Sequence, residues 1–196
     1  MIMPWHLSVA RSRHLPLPAG FIEPCRPTLV ASPPAGSGWL HEMKHDGFRI
    51  LARKQGERVD VWSRRGALFN DRFPSIAEAV GALPAANALI DGEAVTFLSD
   101  GHSDFGALRT KEGGERASFL AFDLLDLEGD GLRDRPLEER REALARLVQA
   151  PPASGSAKPC RPMVRSCSPT PASSAWKGSC RSAPVPDIAA GRAATG

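Results

Sequence analysis

The sequence lacks a hydrophobic run of membrane length. No apolar stretch approaches the ~20 residues of a spanning helix, and the opening MIMPWHLSVARSRHLPLPAG has no continuous apolar segment ending in a small-residue cleavage site. Residues 1–20 therefore read as a loose N-terminal extension, and the chain as soluble and cytoplasmic. Cysteine is scarce as well. Cys25, Cys160, Cys167 and Cys180 show no C-x-x-C spacing, which gives no sign of a metal ribbon or a disulfide framework, and reduced thiols are expected. A basic field is also missing where the folded part should lie. The net charge is +3, but residues 151–196 hold six Lys/Arg against one Asp, leaving 19 basic and 21 acidic residues in 1–150. Charge alone thus gives no electrostatic footprint for DNA on the part that should fold.

What is present suits one globular domain: 196 residues, 42% hydrophobic and 24% charged. From about Gly38 the pattern is β-rich. GWLHEMK and FRILARK are followed by a Gln-Gly-Glu turn at 55–57 and by VDVWSRR, which alternates apolar and polar side chains, as in an antiparallel meander. FPSIAEAVGAL (73–83) sets Ile76, Val80 and Leu83 at helical spacing behind Pro74. NALIDGEAVTFL (87–98) returns to strand, and a polar loop with one possible helical turn follows. SFLAFDLLDL (118–127) is apolar enough to be a buried strand. RPLEERREALARLV then forms a helix with Leu137, Leu144, Leu147 and Val148 on one face. After Gln149 the pattern ends: Pro, Ser and Ala make up 25 of the 46 residues from 151 to 196, a composition expected to be disordered.

Four short motifs carry chemistry. In Lys44-His45-Asp46-Gly47-Phe48-Arg49 a lysine precedes an Asp-Gly bend and an arginine. A lysine attacks an electrophile only when unprotonated, which desolvation or nearby positive charge favours; Arg49 and a bound divalent metal could supply that charge. A solvated lysine beside a turn is the alternative. Ser63-Arg64-Arg65-Gly66 lies at a strand end, where an arginine fork can hold phosphate; a solvated basic turn is the alternative. Asp91-Gly92-Glu93 places two carboxylates in an apolar strand, which is costly unless they meet a metal, a sugar hydroxyl or a basic partner. Phe122, in FLAFDLL, could stack on a base or belong to the core.

In this order and spacing, K-x-D-G-x-R, S-R-x-G, D-G-E and an apolar strand with F-D-L-L resemble the nucleotidyltransferase superfamily of DNA ligases, RNA ligases and capping enzymes. Within it, the stretch from FIEPCRPTLV through HEMKHDGFR, SRRG, RFP, LIDGEAV and SDFGALR to FLAFDLLDLEGDGLRDRPLEERR is similar to the bacterial ATP-dependent DNA ligases of the end-joining type. The resemblance runs from about Phe21 to Leu147. It implies an α+β fold: an incomplete adenylation domain over 21–150, with antiparallel sheets flanked by helices, and a disordered tail. It also implies roles. Lys44 would attack the α-phosphorus of ATP and hold AMP as a phosphoramidate. Glu42 would help recognise the adenine amino group and Phe122 would stack on the ring. Arg49 and Arg64 would hold ribose and phosphate, and Glu93 would bind ribose or a catalytic metal, with Mg²⁺ bridging phosphate oxygens. The DNA partner would be a nicked or broken duplex, to whose 5′-phosphate AMP passes before a 3′-hydroxyl seals the strand. His41, His45 and His102 match no catalytic position and are read as structural or solvated.

The family pattern should continue with an E-G-[IVL]-[VM] strand, a K-x-K strand and an OB-fold domain, none of which follows. Back-translation of AWKGSCRS (175–182), read from the last base of each codon, permits Leu-Glu-Gly-Ile-Val-Ser-Lys. A frameshift near residues 149–155 is therefore expected to have truncated the enzyme and left an out-of-frame tail. A natural disordered linker is the alternative. For the function, the competing readings are a catalytically dead nucleotide-binding fragment or pseudogene product and, against the end-joining signature, an RNA ligase or capping-type nucleotidyltransferase.

Overall fold

The computed structural model describes residues 19–25 and 45–150, together with the backbone of strands at 40–43, 161–162 and 178–181. The chain order is β1 (Leu40–Met43), β2 (Phe48–Gln55), β3 (Arg58–Ser63), α1 (Pro74–Gly81), β4 (Asn87–Val95), α2 (Phe105–Leu108), α3 (Lys111–Glu115), β5 (Ser118–Leu127), β6 (Asp130–Gly131), α4 (Leu137–Gln149), β7 (Arg161–Pro162) and β8 (Gly178–Arg181). The expected α+β class is the one found. No helix among the described residues is long and apolar enough to cross a membrane.

The main sheet runs β3-β2-β4-β5-β6, with β7 beside β5. One face of it meets α1 and α4 across a core of Ile50, Ala52, Val61, Ile90, Phe119 and Leu124 from the strands and Ile76, Val80, Leu144 and Leu147 from the helices. The periodicity read from the sequence is the cause: Ile76, Val80 and Leu83 are all buried. The opposite face divides in two. Leu51, Trp62 and Leu89 form an apolar half, covered by Phe21 and Ile22, with Phe21 edge-on to Trp62 at 5.8 Å between ring centres. The other half carries Arg49 and Phe122.

The expected three-strand meander is corrected. The β2–β3 hairpin forms, but β1 leaves this sheet and pairs antiparallel with β8, while β2 takes β4 as its second neighbour. The physical reason lies at Gly47: a Cβ there would sit 2.3 Å from the Ala94 carbonyl oxygen and 2.8 Å from Glu93 Cγ, so the chain is pressed against β4 at this point rather than turning back on β1. The loop after β4 also differs from expectation in holding two short helices. Asp104 accepts from the Ala107 N–H at 2.9 Å and Thr110 from the Gly113 N–H at 3.0 Å, two N-caps that start α2 and α3. In the tail, where no regular structure is expected, β7 lies parallel to Leu120–Ala121 and β8 beside β1. Ladder bonds use backbone groups, which a segment poor in apolar side chains still possesses. The rest of the tail lies outside the described residues.

Lys54 is 7% exposed, and its ammonium donates to the carbonyls of Gly81 and Leu83, both at 2.6 Å, satisfying the C-terminal end of α1. Replacing it by Ala strands both acceptors. Lys54→Ala should lower stability by about 2–3 kcal/mol in urea denaturation, whereas Lys111→Ala, at a well-exposed position, should change it by less than about 0.5 kcal/mol.

Candidate active site

Three strands bring three of the sequence-predicted residues together. The β2–β4 register sets Arg49 opposite Glu93. Asp91, two residues along the same face of β4, receives the Arg49 fork: Nε donates to Oδ1 and Nη2 to Oδ2, each at 2.5 Å. Asp91 is 3% exposed, so the basic partner is what makes this buried carboxylate tolerable. The guanidinium also lies over the Phe122 ring, 4.3 Å from its centre, reaching across β4 to β5.

A break in the strand alternation explains why Phe122 is there. Asp91 pairs with Asp123, but Gly92 pairs with Ala121, so Phe122 is an extra residue on β5; a second shift leaves Leu125 extra in the same way. A bulge of this kind re-aims one side chain relative to its neighbours. Gly92 is required by the crowding beside it, because a Cβ there would meet the Phe119 ring at 2.2 Å. The next residue, Asp123, is held by Arg140 of α4 through Nε–Oδ1 at 2.8 Å and Nη2–Oδ2 at 2.9 Å. That carboxylate raises the Arg140 pKa above its ordinary value. Arg140 Nη1 donates to the Arg135 carbonyl at 2.6 Å, tying the entry of the helix to the bulge.

The other predicted residues stand as follows. Arg64 is exposed, one residue beyond the Ile50–Ser63 pair, at the end of β3 next to Arg49's strand. Glu42 is in β1, with its side chain outside the described residues, and Lys44 lies outside them altogether. His45 is part-buried edge-on to Phe97, and this burial lowers its pKa; His102 is exposed beside Asp100. Both fit the structural or solvated reading, and His41 has its side chain outside the described residues. Arg49 is ion-paired with Asp91, with Nη2 at 2.5 Å from Oδ2. Sequence reasoning did not single out Arg140 or Asp123. One looks like an ordinary helix charge and the other is the mid-strand Asp of F-D-L-L, and only the fold joins them.

The arrangement can fix an anion or a hydroxyl. Arg49 spends two N–H groups on Asp91, and its other three make no hydrogen bond among the described residues. Among those residues no three His, Cys, Asp or Glu cluster as a metal cage.

Sheet, bulge and fork together define a strand-borne arginine–carboxylate site on an antiparallel α+β domain. Residues 30–160 match the ATP dependent DNA ligase domain, and the chain belongs to that family. It is 37% identical over 137 residues to the multifunctional non-homologous end joining protein LigD of Pseudomonas aeruginosa, covering 68% of this chain and 16% of that one. It is 36% identical over 132 residues to DNA ligase C of Mycobacterium tuberculosis, covering 62% and 36% respectively. A solved structure of mycobacterial DNA ligase D complexed with ATP and MES aligns with 32% identity and a TM-score of 0.50, over 57% of this chain and 37% of that one. The chain thus spans much less than half the length of these relatives.

A double-mutant cycle tests the fork. Arg49→Ala, Asp91→Ala and the double variant should show a coupling of about 1–3 kcal/mol in urea denaturation, as expected for residues in one buried network. Additive single effects would mean that the two side chains do not support one another.

Proposed function

We propose that the chain carries the adenylation part of an ATP-dependent DNA ligase, acting in DNA repair and recombination. The observation that carries this reading is the family match over 30–160, within which K-x-D-G-x-R is intact and Arg49, Glu93 and Phe122 converge on one sheet face. In the proposed reaction the Lys44 amine, having lost a proton, forms an N–P bond to the α-phosphorus of ATP. The bond from that phosphorus to the bridging oxygen breaks, and pyrophosphate leaves with the electron pair. Arg49, fixed by Asp91, and Arg64 would hold ribose and phosphate oxygens as charge shifts between them. Glu42 would read the adenine amino group and Phe122 would supply aromatic surface beside the base. Mg²⁺, held by Glu93 and the phosphates, would neutralise charge on the departing group. AMP would then pass to the 5′-phosphate of a nicked duplex, and the 3′-hydroxyl would displace it.

We further read the segment after about residue 150 as out of frame. The family match ends at residue 160, the composition changes at 151, and the shifted codons of 175–182 permit Leu-Glu-Gly-Ile-Val-Ser-Lys. Residues 1–150, at net −2, would give little electrostatic grip on a duplex, since affinity for DNA comes from many Lys/Arg–phosphate contacts. A catalytically dead nucleotide-binding fragment is the competing reading.

Two measurements bear on this. Incubated with Mg²⁺ and α-labelled ATP, the protein should acquire label that survives denaturation, and Lys44→Ala should abolish it while Lys111→Ala leaves it intact. Lys54 is unsuitable as that control because it is structural. No label on the parent chain would favour the dead fragment, and equal label on Lys44→Ala would refute the nucleophile. Second, the 196-residue chain should seal nicked duplex on the order of 10²-fold more slowly than a protein with the downstream frame restored, since even ~1 Å of misplacement costs about that much. Equal sealing rates would overturn the frameshift reading.

A further inference from the structure

Between β1 and β2 the chain passes through His45, Asp46 and Gly47 without strand pairing. Gly47 is fixed by its close approach to β4. The two residues before it are met by a different element, the hairpin of residues 96–104. The His45 ring stands edge-on to Phe97, 5.7 Å between centres at an interplanar angle of 86°. The Asp46 N–H donates to Ser103 Oγ at 3.2 Å. Phe97 and Ser103 are themselves paired across the hairpin as an isolated antiparallel bridge, so both contacts come from one point.

The hairpin is braced in turn. The Leu98 N–H donates to the His102 carbonyl at 2.9 Å, and the Gly101 N–H to the Leu98 carbonyl at 3.0 Å, closing the tip. At its base the Asp104 N–H donates to the Thr96 carbonyl at 2.8 Å. Thr96 is buried, and its hydroxyl donates to the Gly113 carbonyl of α3 at 2.8 Å, while Asp104 caps α2. The contact on residues 45–46 therefore rests on two helices rather than on a free loop tip.

We propose that this hairpin positions the nucleophile loop, and that Phe97 and Ser103 are the positioning residues that do so. The inference rests on Lys44 being the nucleophile. Lys44 directly precedes His45, so whatever fixes the backbone of 45–46 limits where the lysine amine can travel. An amine that must lie in line with a phosphorus–oxygen bond gains from such restraint through orientation, not through affinity for ATP. Neither side chain would touch the nucleotide. The expected signature is thus a loss of transfer rate at unchanged nucleotide affinity.

The test uses the full chain with Ser103→Ala, Phe97→Ala, both together, and Ser103→Thr, which keeps a hydroxyl. Leu98→Ala, an exposed residue of the same hairpin, serves as the control. Two readouts are taken: amide hydrogen exchange at residues 45–47, and the rate of covalent labelling as α-labelled ATP is titrated in Mg²⁺. The double variant should exchange at 45–47 about tenfold faster than the parent with the β2–β4 amides unchanged. Its labelling rate at saturating ATP should fall about 10–100-fold, with the KM for ATP within about twofold, and Ser103→Thr should recover most of the loss of Ser103→Ala. Unchanged exchange at 45–47, or an unchanged labelling rate in a parent that labels, overturns the inference. If the parent does not label, the proposed function is what fails. Exchange alone then decides whether the hairpin holds the loop: acceleration confined to 45–47 supports it and no acceleration refutes it.

Discussion

The eight-residue pairing of β2 with β4, from Phe48–Ala94 to Gln55–Asn87, is the constraint on which the rest depends. It makes β2 a central strand, buries Ile50 and Ala52 against the helices, and sets Arg49 opposite Glu93 and within reach of Asp91. It also explains both motif glycines. Gly47 lets the chain come onto β4 without a side chain in the way, and Gly92 leaves room on β4 for the Phe119 ring. The glycines of K-x-D-G and D-G-E are thus packing requirements of one strand pair and its neighbour. The charged residues beside them depend on that packing for their placement.

The buried fork has a second effect, which is electrostatic. A guanidinium alone on this face would be a strong attractor for any phosphate, whereas one paired with Asp91 is closer to a directed set of donors than to a net charge. The carboxylate and the Phe122 ring hold that guanidinium in one orientation. Phe122 meets the Arg49 guanidinium because β5 carries two extra residues against β4. The bulge is held from behind by Arg140 on Asp123, so α4 contributes to the site without presenting a side chain to it.

Most of the element order could be read from the chain. Alternation in β3, the helical spacing of Ile76, Val80 and Leu83, and the apolar run of β5 are local signals, and local signals survive in a single sequence. The partner of each strand is not local. Nothing in HEMKHDGFR says that β1 leaves the sheet, since the cause is a contact between Gly47 and a strand some fifty residues on. The two helices at 105–115 were expected only as one possible helical turn, because Gly106, Gly113 and Gly114 obscure a helical pattern. At the site, Arg49, Glu93 and Phe122 were recognisable as motif residues. That Asp91 takes up the charge of Arg49 was not, because D-G-E offers two carboxylates and composition does not say which one the arginine chooses. Lys44 and the side chain of Glu42 rest on the motif alone.

The outer edge of β3 is closed by the chain's own return. The Phe69 N–H donates to the Val61 carbonyl, and the Asn70 amide both accepts from the Val61 N–H and donates to the Val59 carbonyl, so a side chain continues the ladder where another strand could have joined. The opposite border is covered differently. Along β5, β7 covers Leu120–Ala121 and β6 covers Asp126–Leu127, with the Leu132 N–H on the Leu125 carbonyl. Self-association by edge-to-edge templating is therefore blocked on one border of the sheet by residues within ten positions of the strand they guard. On the other border it is restrained in part by a two-residue strand from far along the chain. Shortening the protein would then bear first on its colloidal behaviour, through β5, before it reached the core beneath α1.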